Sequence, residues 1–319
     1  MAHYSFHSAA ANILLVLKDK SEFLIEKKKV KSLVMSSYNN IGHIIHEKAF
    51  MNWGLWDKKL SKEYNLIEIN FSGLSKNRDN YSQLLNYYIV RPLVFLNYTN
   101  KVLLDIGCGN GVGLRMNSQL LKTRYALGID ITNKVVLNAK NQFKKKNEIE
   151  YIQADAENLP IKSNSIDIIT NLESSHLYPS FNLFLTEVER VLVRGGFFCY
   201  ADFLVDNIPQ SKIIEQYVKS SGHFRIILKK NISSKVRSSI FNRLIVNENI
   251  FCKRAKNVLF NKKTNFTEEF ISYTLAGGAL FLPRWKRWFK NPILKNFFKT
   301  LPNVRNKNNK YFYYLIQKV

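Results

Sequence analysis

Five short, mostly apolar runs, at residues 102–106, 125–129, 149–153, 166–170 and 197–201, alternate with longer stretches at 114–121, 133–147 and 181–192. In those longer stretches the apolar positions recur at helical spacing. Runs of about five residues suit strands packed in a sheet, and the helical spacing suits helices laid against it. Regular alternation of the two predicts a mostly parallel, doubly wound α/β sheet, whose right-handed crossovers gather the strand C-termini along one edge. Residues 81–95 predict a further helix leading into the sheet, with Pro92 near its end. Residues 311–316 predict a terminal strand. The chain divides accordingly into a helical N-terminal arm (1–96), a sheet core (97–204), a basic helical lid inserted before the sheet finishes (205–275) and a C-terminal completion of the sheet (276–319).

The stretch from 101 to 130 organises the rest. A strand ends in Asp105-Ile106, and Gly107-Cys108-Gly109-Asn110-Gly111 follows at once. Glycines there let the backbone turn sharply and come close to a ligand. The next strand ends at Asp130, placed to hold ribose hydroxyls. A dinucleotide loop would read G-x-G-x-x-G and seat a pyrophosphate. This loop reads G-x-G-x-G behind a carboxylate, which repels phosphate and pairs with an ammonium. S-adenosylmethionine has an amino-acid end and no phosphate, so the pattern favours it.

Composition changes the picture in two respects. Hydrophobic content of 46% with 23% charged residues is the balance of a globular protein. The 48 Lys and Arg against 24 Asp and Glu give a net charge of +24, which draws the protein toward anionic partners, a lipid surface or, less favoured, nucleic acid. Solvated lysines of a Lys-, Asn- and Ile-rich sequence account for the same number. The 3 cysteines, Cys108, Cys199 and Cys252, make neither a disulfide framework nor a zinc site, and a reducing, cytoplasmic setting fits. No stretch reaches the length of a membrane span. The apolar segment 9–17 lacks a basic region before it and is read as part of an amphipathic helix. Trp285-Lys286-Arg287-Trp288-Phe289-Lys290 suits either a membrane surface or an aromatic helix packed on the core. Phe50, Trp53 and Trp56, around Gly54, form an aromatic segment that either caps a pocket or makes a core turn.

Asp105 to Gly111, Gly128-Ile129-Asp130, Asp155-Ala156-Glu157-Asn158-Leu159-Pro160 and Val191-Leu192-x-x-Gly195-Gly196 resemble, in order and spacing, the motifs of class I S-adenosylmethionine-dependent methyltransferases. With Glu173-Ser174-Ser175-His176-Leu177-Tyr178-Pro179 and Tyr200-Ala201-Asp202, the resemblance narrows to the phthiotriol and phenolphthiocerol dimycocerosate type, which O-methylate a lipid hydroxyl. The resemblance thins after Asp202. It implies a Rossmann-like core, with Asp105, Gly107 and Gly109 at the methionine end of the cofactor. It further implies Asp130 at the ribose, Ile131 and Ala156 against the adenine, Asp155 at its amino group and Asn171 near the transferred methyl. Cys108, Asn110 and Gly111 belong to the same loop.

A hydroxyl acceptor needs its proton managed, and His176, just past the fourth strand on the ligand edge, is the candidate general base. Glu173 would orient it or touch the cofactor, and Asp202 is the reserve. No metal-ligand spacing is present. The expected function is methylation of a hydroxyl on a lipid, polyketide or other small molecule by a monomer or homodimer. The alternatives are an RNA methyltransferase using the basic surface and a non-catalytic cofactor-binding or scaffold protein.

Overall fold

The computed structural model describes residues 27–44, 50–67, 80–143, 148–204, 210–250, 277–282 and 309–319, with single positions 290, 292 and 295. Expectations for 9–17, for Lys144 to Lys146, for Cys252 and the basic residues up to Lys263, and for Trp285 to Phe289 lie outside these residues.

Helices α1 (Lys27–Ile44), α2 (Lys58–Asn65) and α3 (Tyr81–Phe95) precede the sheet. The core then runs β1 (Val102–Ile106), α4 (Val112–Leu121), β2 (Tyr125–Asp130), α5 (Asn133–Phe143), β3 (Ile149–Gln153), β4 (Ile166–Leu172), α6 (Phe181–Val191) and β5 (Leu192–Leu204). It continues with α7 (Gln210–Ser221), β6 (Phe224–Asn231), α8 (Ser233–Phe241) and β7 (Lys310–Lys318). The seven strands form one sheet in the order β3-β2-β1-β4-β5-β7-β6. The pairs among β1 to β5 are parallel, and β7 runs antiparallel between β5 and β6. The order reverses at β1, so its C-terminal edge opens a crevice between β2 and β4.

Alternation along the strands feeds two apolar layers. Leu103, Cys199, Ala201, Phe203, Tyr311, Tyr313 and Leu315 bury on one face, with α3, α4 and α8. Leu104, Ile106, Ile169, Phe198, Tyr200, Tyr314 and Ile316 bury on the other, with α6 and α7. In α3, Leu84, Leu85, Ile89, Val90 and Leu93 are fully buried, each contributing roughly 1.5–3 kcal/mol of transfer free energy.

The inserted segment expected to be wholly helical is not. Phe224–Asn231 is a strand on the open edge of the sheet. Phe224 and Ile226 pack on the α6 and α7 layer with Arg225 and Ile227 exposed between and after them, and a bulge between Ile226 and Leu228 then turns Leu228 to the opposite layer. The adjacent Ile226-Ile227-Leu228 run and the following lysines obscured the strand. The turn at Arg194 to Gly196 is a bulge inside β5, where the partner register passes from Ile166↔Leu192 to Ile168↔Phe197. Trp53 also departs from a pocket-lining role. It is buried against Phe203 (4.7 Å) and Phe281 (5.3 Å), and Trp56 packs on Tyr81 (5.4 Å). Within this segment it is the neighbouring Met51 that lines the cleft.

Candidate active site

The loop after β1 owes its shape to two backbone bonds and its glycines. The N–H groups of Gly107 and Cys108 both donate to the Ile129 carbonyl, at 2.8 and 2.9 Å. Gly107 and Gly109 have φ of +76° and +51°. A Cβ at Gly107 would lie 2.3 Å from Ser174 Oγ, and one at Gly109 would lie 2.7 Å from Met51 Sδ. Only glycine lets the loop pack this closely against the Ser174 and Met51 side chains. Beside the loop, an open cleft lies at the C-terminal ends of β1, β2 and β4.

Two acids support the cleft, Asp105 buried and Asp130 partly so. Asp130 Oδ2 accepts the Gly109 N–H (3.1 Å) and Oδ1 the Thr132 N–H (2.9 Å), while burial pushes its carboxyl up. Asp105 pairs in register with Thr170, whose hydroxyl donates to Asp105 Oδ1 at 2.7 Å. Burial, with Asp130 nearby, pushes the Asp105 carboxyl up to about 7.

Asp130, Ile131, Asp155, Ala156, Gly107 and Gly109 all line the cleft. Asp105, Cys108, Asn110 and Asn171 are buried beneath it, and Gly111 packs under the Tyr151 ring. Asn171 donates through Nδ2 to the Ile106 carbonyl (2.8 Å) and to the hydroxyls of Ser174 (2.8 Å) and Tyr178 (3.0 Å). Its Oδ1 is buried with no hydrogen-bond partner.

The three expected catalytic residues cluster, but only Glu173 lines the cleft. Glu173 follows β4 with φ of +52°, a conformation that is costly for a residue with a Cβ. Its N–H donates to the Ala201 carbonyl (3.0 Å), its Oε2 accepts the Trp53 N–H (2.8 Å) and its Oε1 accepts the Tyr311 hydroxyl (2.9 Å). Burial nonetheless pushes its carboxyl up to about 8. His176 sits in a short 3₁₀ turn, Ser175–Leu177, and packs on Phe203 at 4.1 Å. Its Nδ1 lies 2.7 Å from Asp202 Oδ1. Asp202 is fully buried and accepts three further bonds, from the Ser175 hydroxyl (2.7 Å), the His176 N–H (3.0 Å) and the Phe203 N–H (2.8 Å). Four donors satisfy a buried carboxylate and fix the imidazole.

Sequence reasoning missed Lys31, Glu157 and the support that Trp53 and Tyr311 give Glu173. Lys31 lies in a basic run that reads as a solvated face, and no local pattern marks its partners, which are more than a hundred positions away. Among the described residues no group of three or more His, Cys, Asp or Glu is placed to hold a metal ion. No described helix is long and apolar enough to cross a membrane.

Residues 104–200 match the family model described as a methyltransferase domain. The chain is 38% identical over 105 residues to the fatty-acid O-methyltransferase of Mycolicibacterium smegmatis, covering 32% of this chain and 37% of that protein. It is 36% identical over 107 residues to the phthiotriol/phenolphthiotriol dimycocerosates methyltransferase of Mycobacterium tuberculosis, covering 34% and 39%. The chain thus spans less than two fifths of the length of these curated relatives. Among solved structures, the (4+2)-cyclase SpnF aligns over 90% of this chain and 96% of its own, with a TM-score of 0.57 and 14% identity. That likeness shows the fold alone.

The cofactor of this domain class is S-adenosylmethionine, and the residues fit it. The glycines bring the loop backbone to the edge of the cleft, the acids Asp105 and Asp130 suit a cationic ligand rather than a phosphate, and the Asn171 Oδ1 lacks a donor.

Proposed function

We propose that this chain, whose core is a class I S-adenosylmethionine-dependent methyltransferase domain, methylates a hydroxyl on a lipid or other apolar small molecule. The observation that carries the reading is the buried His176–Asp202 pair beside the cleft, 2.7 Å apart. The cofactor, when bound, supplies an electrophilic methyl on a sulfonium whose leaving group departs neutral. Asp105, Asp130 and Asp155 would hold its amino, ribose and purine parts, and Gly107 and Gly109 would let it approach the backbone.

The remaining task is the acceptor's proton. Asp202, as a carboxylate, takes the proton side of His176 Nδ1, which sets the tautomer with Nε2 as the basic nitrogen. His176 would remove the hydroxyl proton as the new C–O bond forms, a contribution of about a hundredfold or more. Glu173, held by the Trp53 N–H and the Tyr311 hydroxyl, fixes its stretch of the cleft wall.

The acids also bear on the acceptor. A carboxylate acceptor needs no base and calls for a free cation, and the one cation lining the cleft among the described residues, Lys31, is already paired with Asp155 and Glu157. A neutral hydroxyl suits the site better. The experiment is methyl-labelled S-adenosylmethionine offered with a long-chain secondary alcohol and with a fatty acid of equal chain length. Methylation of the alcohol is expected, falling about a hundredfold in His176→Asn. Methylation of the fatty acid alone, undiminished in His176→Asn, would overturn the hydroxyl reading.

A further inference from the structure

Helix α1 lies over the cleft and is tethered along its length. Toward its C-terminus, Asn39 Oδ1 accepts the Lys134 N–H at the start of α5 (3.2 Å), and Asn138 Nδ2 donates to the Gly42 carbonyl (2.8 Å). Val34 and Tyr38, in the middle, line the cleft. Toward its N-terminus, Lys31 Nζ reaches Asp155 Oδ2 at 2.6 Å and Glu157 Oε2 at 2.8 Å. Both acids are braced from behind. Asp155 Oδ1 accepts the Glu157 N–H (3.0 Å), and Glu157 Oε1 accepts the Ser180 N–H ahead of α6 (2.5 Å).

We propose that Lys31 is a clasp on the cofactor cleft: its contacts with Asp155 and Glu157 hold α1 over the adenine end, and the cofactor enters and leaves when they break. The inference rests on the reading of this cleft as the S-adenosylmethionine site. Three observations carry it. The contacts join an arm outside the methyltransferase domain to Asp155, the residue placed at the purine amino group. A carboxylate oxygen has two lone pairs, so Asp155 Oδ2 can keep Lys31 while accepting from an amino group, and the clasp can close on a bound ligand. Finally, the pairing is strong enough to keep the ammonium charged in place. Burial opposes that charge, but the hydrogen bonds to Asp155 and Glu157 outweigh it and hold Lys31 above the ordinary lysine value.

The Lys31 and Asp155 side chains are 27% and 32% exposed, so dissolved salt reaches the pair and weakens it. Release of a bound ligand from wild type is therefore salt-sensitive. The test is the dissociation rate of S-adenosylhomocysteine from immobilised full-length protein, followed by surface plasmon resonance at low and high salt. Lys31→Gln is expected to speed release about five- to tenfold and to remove most of its salt response, the scale of losing two partly exposed ion pairs. Glu157→Gln, which cuts the clasp from the other side, should move in the same direction, and Lys31→Arg should stay near wild type. Release from Lys31→Gln at the wild-type rate, with the wild-type salt response, would overturn the clasp while leaving the cofactor reading intact. Failure of wild type to bind S-adenosylhomocysteine would overturn both.

Discussion

Glu173 combines a positive φ, near-complete burial and a carboxyl pushed up to about 8. Its proton uptake links stability to pH. The unfolded chain ionises this group near the ordinary glutamate value, 4.5, whereas the folded one holds its proton to about 8. The protonated acid thus favours the folded state at low pH, and that contribution is lost as pH rises from about 4.5 through 8. Asp105, pushed up to about 7, acts in the same direction. Glu173→Gln removes the ionising group, so its melting temperature should gain on wild type by roughly a few degrees between pH 5 and pH 8.5. Thermal melts followed by circular dichroism at both pH values check this, and a difference independent of pH would contradict it. At this scale the sequence was legible where chemistry was local. Asp105 and Asp130 sit beside glycines at strand ends, a pattern with few other uses. The His176–Asp202 contact was not legible, because only the pairing of β4 with β5 brings positions 26 residues apart to 2.7 Å.

At the scale of elements, the loop from Gly107 to Gly111 is where backbone conformation and ligand space meet. Gly107→Ala forces a Cβ to within 2.3 Å of Ser174 Oγ at φ of +76°. A cost of about 1–3 kcal/mol is expected, with loss of cofactor binding as Ser174 and Tyr178 shift. Chemical denaturation beside a binding titration measures both, and unchanged binding would show that the loop does not border the ligand. The core strands and α3 were read to within a few residues because buried runs and helical spacing are strong signals. Strand β6 was missed because a bulge between Ile226 and Leu228 breaks its period of two, and its exposed positions include the same cations as the flanking helices. The segment around Trp53 was ambiguous for a related reason. Large apolar groups beside a glycine suit a pocket wall and a core turn equally, and the packing of Trp53 against Phe203 and Phe281 depends on β5 and on residues 277–282.

Over the whole molecule the chain carries a net charge of +24, while its cleft and flanking site hold the acids Asp105, Asp130, Asp155, Glu157, Glu173 and Asp202. The sign of the surface is a poor guide to the sign of the site. The cleft's polarity follows from strand C-termini converging at the switch in sheet order, a property of topology rather than of composition. The same fold brings Lys31 of α1 and Glu173, which Tyr311 of β7 braces, to one cleft. The most direct test is calorimetric titration of the full chain with S-adenosylhomocysteine, alongside Asp130→Asn. The account predicts saturable one-to-one binding by wild type and at least about a tenfold weaker affinity in the variant, the scale of losing a charge-assisted hydrogen bond to a ribose hydroxyl. Absence of binding to the wild-type protein, or equal binding by Asp130→Asn, would contradict it.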